Sequence, residues 1–409
     1  MSDLRMKPLA GLTPWNRVPL LSTTLTHRDA ALALKARIQS SKSQNKGAMS
    51  RLRKEVKKRF GVGYASFYMG GRASLFAVMR VLELKPGDEV VIPAFTCQCV
   101  VNGLRYQGVS PVYADIELDT YGMDAKRAAE VITPNTRAIL IQHTFGLPGR
   151  DLEALLALAC EKGLYVIEDC AHATGGSWQG RPLGTLGDIG FFSSERSKII
   201  NTIHGGFVIT ASTELGERLK RDEAACPSAP PEFMNRLFAT LIHNYLTLAS
   251  PFRQILEPLG RWIPSRWVLP QMHAEEFTGE RCEQYHWRMP EALAPMMLHQ
   301  LNQVEPTLKK RRQAAAMWAS WATEYGFCVP AVPEGADPTW LRFPLRMDPS
   351  VKENPESLEK ELGVTVGVWF QSAAHPLPLS LSHCPNGMEA ARTCINLPTL
   401  LPRRYIRKG

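Results

Sequence analysis

The sequence contains no long hydrophobic run, no internal repeat and no low-complexity tract. A helix that crosses a bilayer needs about 18 or more consecutive apolar residues, and a secretory signal needs a shorter apolar segment near the N terminus. The residues that follow Met1–Arg5 form no such segment. We therefore expect a cytoplasmic protein without a transmembrane helix.

Cysteine lacks the paired spacing that structural zinc sites require. The chain has nine cysteines, an odd number, and most of them lie in apolar segments. Cys97 and Cys99 place two thiols on one face of an extended segment, but no second pair completes a zinc site. We expect buried, reduced thiols and no metal site.

The basic charge is not concentrated in a nucleic-acid-binding module. The net charge of +9 is divided between residues 51–59, residues 403–408 and scattered positions. A nucleic-acid-binding protein would carry such charge on one recognisable unit. We expect no nucleic-acid partner. Solvated surfaces and a general attraction for anionic substrates or an anionic membrane both account for the two basic runs.

Short apolar runs alternate with helical stretches beyond residue 60, after a helical region at 24–60 that is interrupted at 40–47. Continuous apolar strands separated by helices predict a mainly parallel sheet that is covered on both faces. The runs are 89–93, 111–115, 138–142, 165–169 and 206–210.

The chain is long enough for a large core and a second domain. At Pro227–Pro231 the alternating pattern breaks, and the helical region Glu291–Gln313 opens a different one. We predict a large α/β domain at residues 1–228, a helical insert at 229–275 and a smaller C-terminal α+β domain at 276–409.

An apolar strand ending in Asp169 is followed by Lys198 in a Ser-rich loop. A pyridoxal phosphate site requires this pair, because the lysine amine forms a Schiff base and the carboxylate keeps the pyridine nitrogen protonated. The pair alone is weak evidence, since any α/β protein has acidic residues at strand ends. In parallel sheets, however, ligands bind beyond the carboxyl ends of the strands, where Asp169 falls.

The order of motifs from about Pro19 to Pro398 resembles the DegT/DnrJ/EryC1/StrS family of sugar aminotransferases. The resemblance implies the type I pyridoxal phosphate-dependent transferase fold, with a mainly parallel, seven-stranded type of sheet and a smaller C-terminal domain. Its landmarks are residues 70–75, 86–96, 111–116, 132–138, 168–172, 184–188, Lys198 and Gly205–Gly206.

The resemblance implies a cofactor-binding role for several residues. Gly71 and Arg72, at a glycine turn that opens a helix, match the phosphate-binding Gly-Thr of the family, although Arg72 departs from its pattern. A helix N terminus and a guanidinium both suit a phosphate. Ser193 matches a second phosphate contact. Lys198 implies amino transfer, because a dehydratase branch of the family has histidine there.

Two positions bear on the cofactor ring. His172 stands where the family carries Gln or His beside the ring; a buried structural histidine is the alternative. Cys97 replaces the aromatic residue that stacks on the ring in the family, and a thiol offers less area and no π-face. We expect weaker stacking at Cys97, or another residue in that role.

The segment Tyr285–Met289 resembles a segment that crosses to the neighbouring subunit in the family. His286 replaces its asparagine and Arg288 keeps its arginine. The resemblance implies a homodimer in which His286 and Arg288 reach the partner's cofactor phosphate. An arginine that fixes the domain junction is the alternative.

The resemblance therefore implies a pyridoxal phosphate-dependent aminotransferase that converts a nucleotide-linked keto sugar to an amino sugar with a donor such as glutamate. Such a reaction would serve polysaccharide, lipopolysaccharide or secondary-metabolite biosynthesis. Two alternatives stay open. One is a sugar dehydratase or lyase with the same cofactor. The other is a non-catalytic binding subunit, suggested by Cys97, His204 and His286.

The region 233–267 is aromatic and basic, with an apolar helical face over 233–249. Such a helix is typical of peripheral membrane contact, here at the inner membrane. A helix that packs at the domain interface or covers the active site explains the face equally well. The polar positions are Arg236, Thr240, His243, Asn244 and Thr247, and the aromatic and basic ones are Phe252, Arg253, Arg261, Trp262, Arg266 and Trp267.

Overall fold

The computed structural model describes residues 17–21, 24–38, 47–260, 267–270 and 274–402. The predicted interruption at 40–47 lies outside them except for Gly47. The basic residues 403–408 and Arg261, Trp262 and Arg266 of the insert also lie outside them.

The strands of the described residues form one large sheet and several small ones. They are β1 (Tyr64–Tyr68), β2 (Glu89–Pro93), β3 (Thr96–Cys97), β4 (Ser110–Ala114), β5 (Thr136–Gln142), β6 (Tyr165–Asp169), β7 (Ser177–Trp178), β8 (Arg181–Pro182), β9 (Ile189–Ser193), β10 (Gly206–Thr210), β11 (Ala336–Asp337), β12 (Phe343–Arg346), β13 (Ala374–His375) and β14 (Cys394–Leu397).

The large sheet has seven strands in the order β1-β10-β9-β6-β5-β2-β4. The neighbours from β9 to β4 pair in parallel, whereas β10 is antiparallel to both β1 and β9. The predicted mainly parallel sheet is confirmed. The sequence reasoning missed β1 and β9, which are as long as β2 and β6 but mix aromatic residues with serine, alanine or glycine in place of a continuous aliphatic run.

The helices cover both faces of this sheet, and smaller ones follow it. They are α1 (His27–Ile38), α2 (Ala48–Phe60), α3 (Gly71–Val81), α4 (Gln98–Arg105), α5 (Ala125–Val131), α6 (Leu152–Lys162), α7 (Thr213–Ala225), α8 (Pro231–Asn244), α9 (Arg253–Gly260), α10 (Ala274–Thr278), α11 (Ala294–Leu301), α12 (Val304–Glu324), α13 (Pro349–Glu353), α14 (Glu356–Leu362) and α15 (Pro385–Thr393).

Successive residues of a central strand serve opposite cores. Val91 and Ile139 belong to the core on one face, and Val90 and Leu140 belong to the core on the other. Because both faces are covered, the inner residues of such a strand are all apolar, as Val90–Ile92 of β2 are, which explains the apolar runs in the sequence.

The C-terminal residues build a separate core around Trp318 of α12, which is fully buried and donates from Nε1 to the Pro398 carbonyl at 2.8 Å. The helical region predicted at 291–313 is three elements: a 3₁₀ turn at Glu291–Leu293, then α11 and α12. The chain leaves the α-helix at 302–303, which a continuous helical pattern did not reveal. The predicted domain boundaries at 228 and 275 remain predictions.

The insert packs more closely than its sequence pattern predicted. Helix α8 lies against α1, and a π-helical turn (Tyr245–Ala249) continues it. The polar positions Thr240 and Thr247 are themselves buried, and the Thr240 hydroxyl accepts from the Leu269 N–H at 2.8 Å. None of the described helices is long and apolar enough to span a membrane.

Candidate active site

A cavity of about 640 Å³ lies beyond the carboxyl ends of β5, β6 and β9. Parallel strands end at one edge of a sheet, so residues far apart in sequence meet there. Seven predicted site residues line this cavity: Gly71, Arg72, Cys97, Asp169, His172, Ser193 and Lys198.

Lys198 follows a tight turn in which its N–H donates to the Glu195 carbonyl at 3.2 Å. Burial lowers the pKa of the Lys198 amine, although Glu195, Cys97 and Asp169 oppose that shift. A lower pKa increases the fraction of neutral amine, the form that attacks a carbonyl. The lysine is therefore placed to act as a nucleophile or a base.

Asp169 ends β6 and is buried. Burial raises the pKa of its carboxyl group, while the Ala171 N–H, which donates to Oδ1 at 2.9 Å, and the nearby Lys198 work in the opposite direction. A cation that binds next to this carboxylate would favour its ionised form.

A buried pair, His143 and Glu168, stands behind Asp169. His143 Nε2 lies 3.1 Å from Glu168 Oε2, and His143 itself lines the cavity. Glu168 also accepts three backbone N–H groups from the loop at 184–187. Burial alone would raise the pKa of Glu168, but His143 and these N–H groups outweigh it and lower the pKa. Glu168 is thus held as a carboxylate.

The same pair, together with Cys170, places one ligand atom each within 4.8 Å of one another. The Glu168 oxygens are already engaged by the backbone and by His143. This arrangement fits a structural network better than a metal centre, because a metal would have to displace those donors.

The first turn of α3 contributes Gly71 and Arg72 to the cavity wall. The Gly71 N–H donates to Glu195 Oε1 at 3.2 Å, and Arg72 Nη2 lies 2.8 Å from Glu195 Oε2. Arg72 also pairs with the buried Glu276. A Cβ added to Gly71 would lie 2.7 Å from the Ser193 Cβ, so the close approach of these two segments requires glycine.

Sequence reasoning missed Glu195 and Glu276. Both pair with Arg72. In the sequence, however, most strands of the large sheet lie between Arg72 and Glu276. A Glu three residues before Lys198 was visible in the sequence as a charge in a Ser-rich loop, but nothing there indicated its partner.

Cys97 ends β3, which forms a two-stranded sheet with β13. Strand β13 pairs with β3 so that His375 is the register partner of Cys97. Trp369, Phe370 and His375 all line the cavity, although none was predicted. A hydrogen bond from Cys99 lowers the pKa of the Cys97 thiol to about 7, against the opposing effect of burial.

His172 accepts a hydrogen bond at Nδ1 from the Phe145 N–H at 3.2 Å and stacks on the Phe145 ring. Burial holds the pKa of His172 well below its usual value. A neutral imidazole that accepts at Nδ1 carries its proton on Nε2. His172 can therefore donate a hydrogen bond from Nε2.

His286 and Arg288 do not line this cavity. The His286 ring meets Phe76 edge-on with centroids 5.2 Å apart. Arg288 bridges the backbones of Tyr68 and Ser228, and it lines a second cavity of about 370 Å³. Within one chain the structure does not bring these two residues to Lys198.

The insert forms part of the cavity wall. Phe233 of α8 meets His204 edge-on at 5.4 Å, and His204 lines the cavity. Of the insert's described residues Pro270 lines the cavity itself, as does Phe277 of α10, just beyond the predicted insert. This contact agrees with the alternative in which the insert covers the active site.

Comparison with known proteins gives concordant results. Residues 26–228 and 270–401 match the DegT/DnrJ/EryC1/StrS aminotransferase family. The chain is 27% identical over 343 residues to a UDP-N-acetyl-3-dehydro-alpha-D-glucosamine 3-aminotransferase from Acidithiobacillus ferrooxidans, covering 83% of this chain and 78% of that one. It is 37% identical over 336 residues to a dTDP-4-dehydro-2,3,6-trideoxy-D-glucose 4-aminotransferase from Saccharopolyspora spinosa, covering 81% and 78%.

Two solved structures share the fold. The aminotransferase TlmJ from Streptoalloteichus hindustanus superposes with a TM-score of 0.69 at 23% identity, over 97% of this chain and 96% of that one. A sugar aminotransferase from Streptococcus pneumoniae in its PMP form gives a TM-score of 0.71 at 18% identity, over 95% of each chain.

Proposed function

Because the chain belongs to the DegT/DnrJ/EryC1/StrS aminotransferase family, we propose that this aminotransferase uses pyridoxal 5'-phosphate bound in the cavity between Lys198 and Asp169. The observation that carries the proposal is their placement: a lysine with a lowered pKa and a buried carboxylate face one cavity. The resemblance seen in the sequence supports the same pair.

The residues around the cavity fit this cofactor. Gly71 and Ser193 approach closely enough to exclude a Cβ, and Arg72 adds a guanidinium beside the first turn of α3. N–H groups at a helix start and a guanidinium are donors that suit a phosphate. In this structure the carboxylate of Glu195 holds those donors, so a phosphate has to share them or displace it.

When bound, the cofactor supplies an aldehyde that carries the amino group and a ring that withdraws electrons. Asp169 favours a protonated ring nitrogen by its charge. Lys198 Nζ takes the proton from the Cα of the amino donor and later returns one to the sugar carbon that gains the nitrogen. His172, which accepts at Nδ1, would offer the cofactor a hydrogen-bond donor at Nε2. The cavity walls exclude water from these steps.

We propose that the acceptor is a keto sugar carried by a nucleotide and that the donor is an amino acid such as glutamate. The two relatives named above act on a UDP-linked and a dTDP-linked sugar, by their names. Lysine at position 198 disfavours the dehydratase alternative. Cys97, His204 and His286 differ from the family's pattern, and these differences favour the alternative of a non-catalytic binding subunit.

We further propose a homodimer in which His286 and Arg288 complete the partner's active site. Both lie outside their own chain's cavity, which is what a crossing segment requires. The alternative is that Arg288 fixes the domain junction. It is supported by the backbone bridges of Arg288 to Tyr68 and Ser228.

We also propose that the protein works in the cytoplasm and that its insert contacts an anionic inner-membrane surface. Phe252 and Ile255 of the insert are about two-thirds exposed, at 66% and 67%, and Trp267 is half-exposed. Arg253 adds a charge beside them. Co-sedimentation with anionic liposomes tests this. Ile255→Glu should reduce binding at low salt, and Val332→Glu, an exposed apolar position in the C-terminal part, should not.

Two measurements test the proposed reaction. Addition of the cofactor should produce an absorbance band in the near-visible that borohydride removes, and peptide mapping should place the reduced cofactor on one lysine. Incubation with a nucleotide-linked keto sugar and glutamate should yield an amino sugar. Absence of the band would favour the non-catalytic alternative, and loss of a sugar hydroxyl without nitrogen gain would favour the dehydratase.

A further inference from the structure

Cys97 and Cys99 place two thiols on the wall of one cavity. Cys97 ends β3 and directly precedes α4, and Cys99 lies in the first turn of that helix. Both are free thiols, both are half-buried, and both line the candidate active site. Because the residue between them is helical, the geometry of an α-helix puts their Cα atoms about 5.4 Å apart, within the range that a disulfide spans.

Hydrogen bonding and charge make the two thiols unequal. The Cys97 sulfur accepts hydrogen bonds from the Cys99 thiol and the Cys99 N–H, and these lower the pKa of Cys97 to about 7 against the effect of burial. The positive charges of Lys198 and Arg72 act in the same direction. The bond to Cys97 and burial both raise the pKa of Cys99. Cys97 is therefore the nucleophile of the pair, and Cys99 keeps its proton.

The other seven cysteines, all of which the structure describes, differ from this pair. None of them lines the cavity. Cys160 and Cys328 are exposed. The other five are buried: Cys170, Cys226, Cys282, Cys384 and Cys394. Burial raises the pKa of each of these five thiols, so they hold little of the reactive thiolate at neutral pH.

We propose that Cys97 and Cys99 form a reversible disulfide when a small disulfide such as oxidised glutathione enters the cavity, and that this bond weakens cofactor binding. The Cys97 thiolate attacks one sulfur of the small disulfide and expels a thiolate. Cys99 then attacks the Cys97 sulfur and expels the second thiolate, which takes the Cys99 proton. The two cysteines are oxidised, and the small disulfide is reduced to two thiols.

The new bond and the cofactor use the same wall of the cavity, and this effect on the cofactor rests on the proposed function. The negative charge of Cys97 is one of those that raise the pKa of Lys198, and a disulfide removes it. The sulfurs must also move from hydrogen-bonding to bonding distance. That shift reaches β13, because His375 is the register partner of Cys97. By linkage, bound cofactor must then disfavour the disulfide by the same factor.

Peptide mapping of the folded, cofactor-free protein tests the disulfide itself. Trypsin releases residues 81–105 as one peptide, since Pro86 protects Lys85 from cleavage, and Cys97 and Cys99 are its only cysteines. After incubation with oxidised glutathione at neutral pH, then unfolding and alkylation without reductant, we expect this peptide to carry no alkyl group and to lack two hydrogen atoms. Dithiothreitol should restore two alkylatable thiols. A wild type in which both thiols stay alkylatable after the incubation would overturn the proposal.

Single variants assign the two roles. Cys99→Ser keeps a hydrogen-bond donor for Cys97 but has no second thiol, so it should hold one glutathione on Cys97. Cys97→Ser should react roughly tenfold more slowly at Cys99, which keeps its proton. The control, Cys160→Ser with Cys328→Ser, removes the two exposed thiols and should leave the disulfide unchanged. If the wild type holds as much glutathione as Cys99→Ser does, Cys99 does not close the bond and the proposal is wrong.

A cofactor titration of this control variant tests the coupling, because only the cavity pair is then open to oxidation. Its oxidised form should bind pyridoxal phosphate with a Kd roughly five- to a hundredfold higher than its reduced form, the usual range for coupled sites. Dithiothreitol should restore the Kd, and saturating cofactor should slow disulfide formation. Equal Kd values in the two forms would overturn the coupling. A reduced form that binds no pyridoxal phosphate would overturn the proposed function and the coupling together, while the peptide map decides separately whether the disulfide forms.

Discussion

Arg72 and Glu195 form an ion pair at the start of α3, with Nη2 and Oε2 2.8 Å apart, and both residues line the candidate active site. The Glu195 carboxylate also accepts from the Gly71 N–H. An anionic side chain therefore occupies the donors that the family resemblance assigns to the cofactor phosphate. Two anions compete for one site, and this gives the first prediction.

Glu195→Gln should bind pyridoxal phosphate more tightly, by roughly tenfold, because the amide does not repel the phosphate. The change is measured as the Kd for cofactor from the absorbance titration of cofactor-free protein. Glu359→Gln, which breaks the remote pair with Arg17, is the matched control and should leave the Kd unchanged. Weaker cofactor binding in Glu195→Gln would mean that Glu195 orients Arg72 and does not compete with the phosphate.

Lys198→Ala should abolish borohydride trapping of the cofactor and reduce transamination by at least about a hundredfold, because the amine that bonds the cofactor and moves the proton is gone. The fold should persist, which far-ultraviolet circular dichroism checks. The control is Lys162→Ala, because Lys162 is exposed. Lys352→Ala would not serve as a control, because the Lys352 amine donates to two buried carbonyl groups. Trapped cofactor on another lysine would refute the assignment.

Asp169→Asn should weaken catalysis far more than folding. The amide cannot hold a ring nitrogen protonated, and loss of a charge-assisted bond in a buried site costs roughly two orders of magnitude in rate. The measurement is kcat for transamination beside the melting temperature. Near-normal turnover with a reduced melting temperature would show Asp169 to be structural.

Co-expression of Lys198→Ala with Arg288→Ala should restore activity that neither variant has alone. In a hybrid dimer with shared sites, one site keeps both residues, so random pairing gives about a quarter of the wild-type rate. Purification through two different tags isolates the hybrid. If the hybrid stays inactive, or if the active enzyme is a monomer, the crossing segment is not shared.

Alkylation of Cys97 by iodoacetamide should become half-maximal near pH 7, because the hydrogen bond from Cys99 lowers the thiol pKa to about 7 from an ordinary value of 9.0. A lowered pKa means that the thiolate, the reactive form, is present at lower pH. Mass spectrometry of the Cys97 peptide measures the rate. Cys99→Ala should move the midpoint upward. Bound cofactor should slow the reaction if its ring covers the thiol.

Much of the fold was predictable because local pattern and burial coincide. The strands β2, β6 and β10 begin and end where the predicted runs do, because both sheet faces are covered and the inner residues of each run must be apolar. Asp169 was predictable as a site residue because it ends such a strand. The missed strands β1 and β9 show the limit, because neither contains the consecutive aliphatic residues by which the other strands were predicted.

The parallel sheet, the family resemblance and the pair Asp169 and Lys198 could be predicted from the sequence, because each depends on a local pattern or on the order of motifs. The pairing of Glu195 with Arg72, the position of His375 beside Cys97 and the burial of Arg342 behind Trp369 became visible only in the folded chain. These partners lie far apart along the chain. Their contacts depend on how separate elements pack, and a linear pattern does not encode which buried charge meets which partner.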